Sequence, residues 1–173
     1  MTGQKWDIFR LSERMMHMDE ATWARHANPW SVYTRFSILP LMTVAVWSRN
    51  WLGWGALVPV AVVVIWTWLN PRLFGPPETT DHWAAHGTFG ERVFLNRHVV
   101  PIPTHHRLWG VWLSVVAGLG IVPWVYGLWA YDLSATLLGL TLMIGAKLWF
   151  VDRMVWLYQD MRDADPTYAA WSR

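Results

Sequence analysis

The sequence predicts an all-α integral membrane protein with four transmembrane helices in two hairpins and a cytoplasmic cap of short helices and loop. Two apolar blocks, residues 36–70 and 108–151, contain almost no charge, since only Arg49 and Lys147 of the 14 Lys and Arg residues fall within them. About 20 apolar residues, rising about 1.5 Å each, span the hydrocarbon core of a bilayer. Two such blocks therefore indicate a membrane-embedded chain.

Tryptophan is the second indicator of a membrane protein. The chain has 16 Trp residues, and many of them stand at the ends of the apolar runs. An amphipathic indole ring rests well at the depth of the lipid headgroups, so this placement is typical of aromatic belts. An aromatic cage around a cofactor is the alternative interpretation, but interfacial anchoring accounts better for so many positions at helix ends.

The first block breaks at residues 48–50, which predicts one helix over residues 29–47 and a second over residues 51–69. Asn28 is the expected N-cap of the first helix because it precedes a proline, which suits the first helical position. Arg35 lies within this helix, and its long side chain can reach the headgroups from the last turn before the membrane surface.

The second block breaks at Tyr131-Asp132, which predicts a third helix over residues 105–130 and a fourth over residues 133–151. The fourth helix is expected to continue past Asp152 as a half-buried interfacial helix. The third helix carries a stripe of small residues at four-residue spacing: Gly110, Ser114 and Gly118. Such a stripe favours close packing against the fourth helix, with oligomerisation as the alternative.

The remaining segments lie outside the bilayer and leave the chain a single membrane domain. They are a cytoplasmic N-terminal arm, a central loop, and a C-terminal helix and tail: residues 1–28, 70–104 and 152–173. Within the loop the sequence predicts two short helices. One is opened by Thr80-Asp81 and closed by Gly87, and the other lies near residues 91–96.

The distribution of basic residues predicts the orientation. Thirteen of the 14 Lys and Arg residues lie in the arm, the central loop, the tail and the helix ends that border them, whereas the two opposite connections hold Arg49 alone. By the positive-inside rule, both termini and the central loop face the cytoplasm, and we expect a multi-pass protein of the cytoplasmic (inner) membrane. The positive charge indicates anionic membrane lipids as partners, not nucleic acid.

The histidines suggest one possible chemistry. All seven lie on the predicted cytoplasmic side, and two pairs stand out: His82 with His86, four residues apart on a short helix, and His105 with His106. Together they are candidate ligands for Fe, Zn or Mn in a membrane enzyme of the hydroxylase or desaturase kind that acts on a lipidic substrate. Such enzymes need about eight or more histidines in repeated boxes, so this class is the alternative, and otherwise no cofactor is predicted.

A second candidate site combines interfacial charges with neighbouring polar side chains. Its members are His26, Asn28, Trp30, Arg35, Glu91, Arg92, Asp152 and Arg153. One interpretation is a network that pins the cytoplasmic loop to the helix ends, because charge pairs at surfaces are common and individually weak. The functional interpretation is a pocket for an anionic headgroup or a small acid.

Four sequence boxes carry a resemblance to a known family. They are HANPWSVYTR at residues 26–35, NPRLF at 70–74, GERVFLNR at 90–97 and KLWFVDRMVWLY at 147–158. With these boxes the chain resembles a family of small prokaryotic four-helix membrane proteins whose function is unknown. The resemblance covers about residues 18–165 and implies no activity, ligand or catalytic residue.

The sequence favours a non-enzymatic membrane protein. We expect either an accessory subunit of a membrane complex or a module that binds lipid or another amphiphile. Its protein partners would be a larger membrane complex or further copies of the same chain. The residues assemble no catalytic nucleophile with a base and no phosphate-binding loop, and the chain has no Cys to supply a thiolate.

Overall fold

The computed structural model describes residues 20–172, and every regular element in that range is helical. The elements are α1 Glu20–His26, α2 Pro29–Arg35, α3 Ile38–Trp47, α4 Arg49–Leu52, a 3₁₀ turn Gly53–Ala56, α5 Leu57–Leu73, α6 Trp83–Leu95, α7 Thr104–Ala130, α8 Leu133–Met161 and α9 Pro166–Ala169. Most of the predicted N-terminal arm, together with Arg173, lies outside the described residues.

Three segments of the described chain are long and apolar enough to cross a membrane: Pro29–Leu73, Thr104–Ala130 and Leu133–Met161. The first of these is not one rod. Its predicted first helix is divided at Phe36 and Ser37 into α2 and α3. The predicted cap at its start is confirmed, because Asn28 Oδ1 accepts a hydrogen bond from the Trp30 backbone N–H at 2.9 Å.

The segment Pro29–Leu73 folds back on itself, with α3 packed beside α5. Asn70, which is fully buried, joins the two ends of this hairpin. Its Nδ2 donates to Thr34 Oγ1 at 2.7 Å, and its Oδ1 accepts from Ser31 Oγ at 3.2 Å. Because a buried amide must find partners, these bonds fix the entry and exit of the segment side by side.

Among the described elements, helices α7 and α8 share the most extensive contact. Their turn ends at Tyr131, whose φ of 56° places it in the left-handed region, and Asp132 then caps α8. The helices approach closely at Gly127 and Gly139, where an added Cβ would overlap Thr136 and Trp124 respectively.

The prediction that the small-residue stripe of the third helix packs against the fourth helix is wrong. A methyl group added at Gly118 would have nothing within 4 Å, and Gly110 instead faces the ring of Phe94 on α6. The ring of Phe94 occupies the space beside Gly110, whereas α8 meets α7 at Gly120 and Gly127, which lie outside the stripe.

The central loop contains one continuous helix, α6, where the sequence predicts two. Gly87 and Gly90 do not end helices here. They let α6 lie directly on α8, since a Cβ at Gly87 would overlap the Val151 side chain and one at Gly90 would overlap the carbonyl of Met154. The continuation of the fourth helix past Asp152 is confirmed, because α8 runs to Met161 and supplies the other half of this core.

Arg49 joins the two hairpins at the end of the molecule that is poor in charge. Its guanidinium donates from Nε to Tyr131 Oη at 2.8 Å, and from Nη2 to the carbonyl oxygens of Leu128 at 2.5 Å and Trp129 at 2.8 Å. The connection after α3 and the turn between α7 and α8 therefore lie at the same end of the bundle.

Candidate functional site

Four residues from four helices meet where α6 crosses α8, and we call them the interfacial cluster: His26, Arg35, Glu91 and Lys147. Glu91 Oε1 lies 2.5 Å from Lys147 Nζ, and its Oε2 lies 4.0 Å from His26 Nε2. Arg35 Nη1 hydrogen-bonds to His26 Nε2, and Arg35 Nε donates to the Ser31 carbonyl at 2.9 Å. The cluster thus connects the start of the first hairpin to α6 and α8.

His26 is neutral in this arrangement. Burial, followed by the nearby charges of Arg35 and Lys147, lowers the pKa of His26 well below its usual value. A guanidinium can only donate, so His26 Nε2 must accept and the ring proton must lie on Nδ1, which is buried without a hydrogen-bond partner. With Arg35 and Lys147 positive and Glu91 negative, the cluster carries a net charge of +1.

A cavity of about 250 Å³ opens beside the cluster. Three members of the cluster contribute its charged groups, Arg35, Glu91 and Lys147, and Thr88 is a further polar residue of the lining. The remaining wall is largely apolar and is formed mainly by Val32, Phe36, Ile38, Leu39, Met143, Ile144 and Val151. An apolar space with a few convergent charges at one side is the usual chemistry of a site that binds an amphiphilic molecule.

The structure distributes the other predicted binding residues among separate contacts. Asn28 Nδ2 donates to the Gly75 carbonyl at 3.0 Å, and the Trp30 side chain is exposed. The guanidinium of Arg92 lies 4.0 Å from the ring centre of Trp171.

Asp152 and Arg153 form a neighbouring pair with its own partner. Asp152 Oδ1 accepts from Trp83 Nε1 at 3.3 Å, and its Oδ2 lies 3.5 Å from Arg153 Nη2. Of the predicted binding set, the described contacts therefore bring His26, Arg35 and Glu91 into one cluster.

Lys147 is the cluster member that the predicted set does not include. The available signal was its position, because it is the one charged residue between Asp132 and Asp152 in the second apolar block. The apolar wall of the cavity gave no signal, since its residues are ordinary components of membrane helices.

The predicted histidine ligands fall into two places. His82 precedes α6 and caps it, with Nδ1 accepting from the Ala85 backbone N–H at 3.1 Å. His86 Nε2 lies 3.7 Å from Asp81 Oδ1. His105 and His106 lie at the start of α7, where they approach Asp160.

Comparison with known proteins gave one match. A family model described as a family of unknown function, DUF6653, matches residues 10–173. Neither the curated proteins nor the solved structures gave a match to the chain.

Proposed function

The chain belongs to the family of unknown function DUF6653, and we propose that it binds an anionic amphiphile in the cytoplasmic membrane of a prokaryotic cell. The observation that carries this proposal is the position of Arg35 and Lys147, two cations that share the wall of one apolar cavity with a single carboxylate. An acyl chain in the cavity would place its anionic head beside the net positive charge. A fatty acid and an anionic phospholipid share this chemistry.

The proposed topology has four membrane crossings with both termini in the cytoplasm. The first segment supplies two crossings, because α3 and α5 lie side by side and their far ends are joined through Asn70. As one straight helix, residues 29–47 would reach roughly 28 Å at about 1.5 Å per residue. The break at Phe36 and Ser37 shortens this reach, so α2 and α3 together make the first crossing of the ~30 Å hydrocarbon core. Helices α7 and α8 supply the other two.

This topology places the cavity near the cytoplasmic surface of the bilayer. Lys147 lies roughly 21 Å along α8 from Leu133, at about 1.5 Å per residue, which leaves roughly 9 Å of a ~30 Å core. Its long side chain extends from there toward the headgroups. A charged head at that depth stays hydrated on one side while the acyl chain lies among apolar side chains. The cavity opens between membrane helices and α6, so a lipid could enter it from the bilayer.

Thermal unfolding in a neutral detergent tests this function. Decanoate and decanol share one chain length and differ in head charge, so we expect decanoate to raise the melting temperature more. The substitution Ile144→Trp fills the cavity and should abolish the difference, and Lys147→Gln should reduce it. Leu138→Trp, at an exposed position of the same helix, is the matched control and should retain it.

Equal stabilisation by decanoate and decanol would contradict the role of the cluster. An undiminished decanoate effect in a folded Ile144→Trp variant would contradict the cavity as the binding site.

A further inference from the structure

Two histidines and a carboxylate meet at the end of the α7–α8 pair that lies opposite the connecting turn, where α7 begins and α8 ends. His105 and His106 lie in the first turn of α7, and Asp160 lies in the last turn of α8. One possible ligand atom from each side chain lies within 4.8 Å of the others. Among the His, Asp and Glu side chains of residues 20–172, these three form the group that is close enough together to hold a metal ion.

The geometry of this group is compatible with a shared ion. Asp160 Oδ2 lies 2.8 Å from His106 Nε2, and the ring centres of His105 and His106 are 4.1 Å apart. In a tetrahedral site with metal–ligand distances near 2.0–2.1 Å, neighbouring ligand atoms are about 3.3 Å apart. Small side-chain rotations would therefore bring all three donors to one ion.

A second observation concerns the burial of His106. This side chain is 2% exposed, and its Nε2 is held 2.8 Å from Asp160 Oδ2. An ion bound at Nε2 requires the ring proton on Nδ1, which is buried without a hydrogen-bond partner, so the packing around the ring directs Nε2 toward Asp160. His105 and Asp160 are exposed, so the group is accessible from water and has room for further ligands.

We propose that His105, His106 and Asp160 bind a divalent transition-metal ion such as Zn²⁺, Fe²⁺ or Mn²⁺. Two imidazoles and one carboxylate suit these ions, whereas Ca²⁺ and Mg²⁺ prefer oxygen ligands throughout. The chain has no Cys, so a thiolate site is excluded. Three protein ligands leave at least one coordination position for water or an oxygen of a bound molecule. This site is independent of the cavity and of the amphiphile proposed above.

Cobalt(II) is a suitable probe because it reports N/O coordination by its visible absorption. The full-length protein, free of any affinity tag, is stripped of metal in a neutral detergent and titrated with Co²⁺ and then with competing Zn²⁺. We expect one Co²⁺ per chain, displaced by Zn²⁺. Removal of a residue that only supports a ligand typically costs about 10–100-fold in metal affinity, so His105→Ala, which removes a ligand, should weaken binding by more than about 100-fold.

Two further variants separate a metal site from a structural hydrogen bond. Asp160→Asn preserves an acceptor for His106 but removes the ligand charge, so binding should weaken while the melting temperature of the metal-free protein changes little. His98→Ala removes one exposed histidine outside the group and should bind Co²⁺ like the wild type. Absent or superstoichiometric Co²⁺ binding by the wild type, or equal affinity in folded His105→Ala, would overturn the proposal.

Discussion

Glu91 Oε1 lies 2.5 Å from Lys147 Nζ, although 56 residues of sequence separate them. The pair joins α6 to α8, and its other carboxylate oxygen lies 4.0 Å from His26, which itself bonds to Arg35. Glu91 is therefore the centre of the interfacial cluster, and it compensates cations contributed by both hairpins. Its removal should affect folding and ligand binding in opposite directions.

We expect Glu91→Gln to lower the free energy of unfolding by about 1–3 kcal/mol, because a partly buried cluster loses its carboxylate while its cations remain. The same substitution should strengthen decanoate binding, since the cavity then carries more positive charge. Chemical denaturation and decanoate titration measure the two effects. Asp152→Asn is the control: its side chain is 45% exposed, so we expect a cost below about 1 kcal/mol and unchanged decanoate binding. Weaker decanoate binding by folded Glu91→Gln would contradict this role.

Acid should destabilise the protein through His26. Its folded-state pKa lies below the ordinary value because of burial and the charges of Arg35 and Lys147, so the unfolded chain takes up a proton that the folded chain excludes. Stability should be fully retained above about pH 6.5 and should fall below it, by up to about 1.4 kcal/mol per pH unit per histidine.

The variant His26→Gln should flatten this pH dependence. His86 contributes in the same direction, since burial also lowers its pKa, so the double variant with His86→Gln should be flatter still. Melting temperatures between pH 5 and 7.5 provide the measurement. A steeper acid loss in His26→Gln than in the wild type would be inconsistent with a buried neutral histidine.

The contact between α6 and α8 should be intolerant of a single methyl group. At Gly90 a Cβ would overlap the Met154 carbonyl, so Gly90→Ala should cost about 1–3 kcal/mol or more through overpacking. At Gly118 the added methyl would meet nothing within 4 Å, and Gly118→Ala should be neutral or slightly stabilising because alanine favours helix. Thermal melting of the two variants provides the comparison, and similar melting temperatures would refute the close contact between Gly90 and Met154.

Single-cysteine labelling tests the topology on a chain that has no cysteine of its own. Asn50, Thr79 and Asp163 are exposed positions in the connection after α3, the central loop and the tail. In intact cells, a membrane-impermeant maleimide should label Asn50→Cys only, and permeabilisation should add the other two. Labelling of Thr79→Cys in intact cells would exclude four crossings with the loop inside.

Local signals in the sequence predicted some helix starts, whereas they could not predict the contacts between helices. Asn28 before a proline and Asp132 after an apolar run are strong caps, so the corresponding ends of α2 and α8 were predictable. Gly87 resembled a helix end, but its purpose is a close approach to Val151 that depends on the tertiary fold. The same limit explains the stripe, since no local rule indicates that Gly110 meets Phe94 of α6 while α8 packs against Gly120 and Gly127.

The candidate site was predictable in its charges but not in its shape. Arg35, Glu91 and His26 are polar residues beside apolar helices, which made them recognisable as a group. Lys147 reaches them only because α6 lies on α8. The cavity exists through the packing of four helices, α2, α3, α6 and α8, and its apolar lining is indistinguishable in sequence from lipid-facing residues.

Photo-crosslinking with a diazirine-bearing fatty acid, followed by mass spectrometry of the labelled peptides, tests amphiphile binding most directly. We expect saturable labelling of cavity residues such as Leu39, Met143 and Ile144, competed by decanoate and reduced in Lys147→Gln. Labelling spread evenly over lipid-facing residues, or concentrated in the surface groove between α7 and α8 near Trp112, would contradict the proposed site.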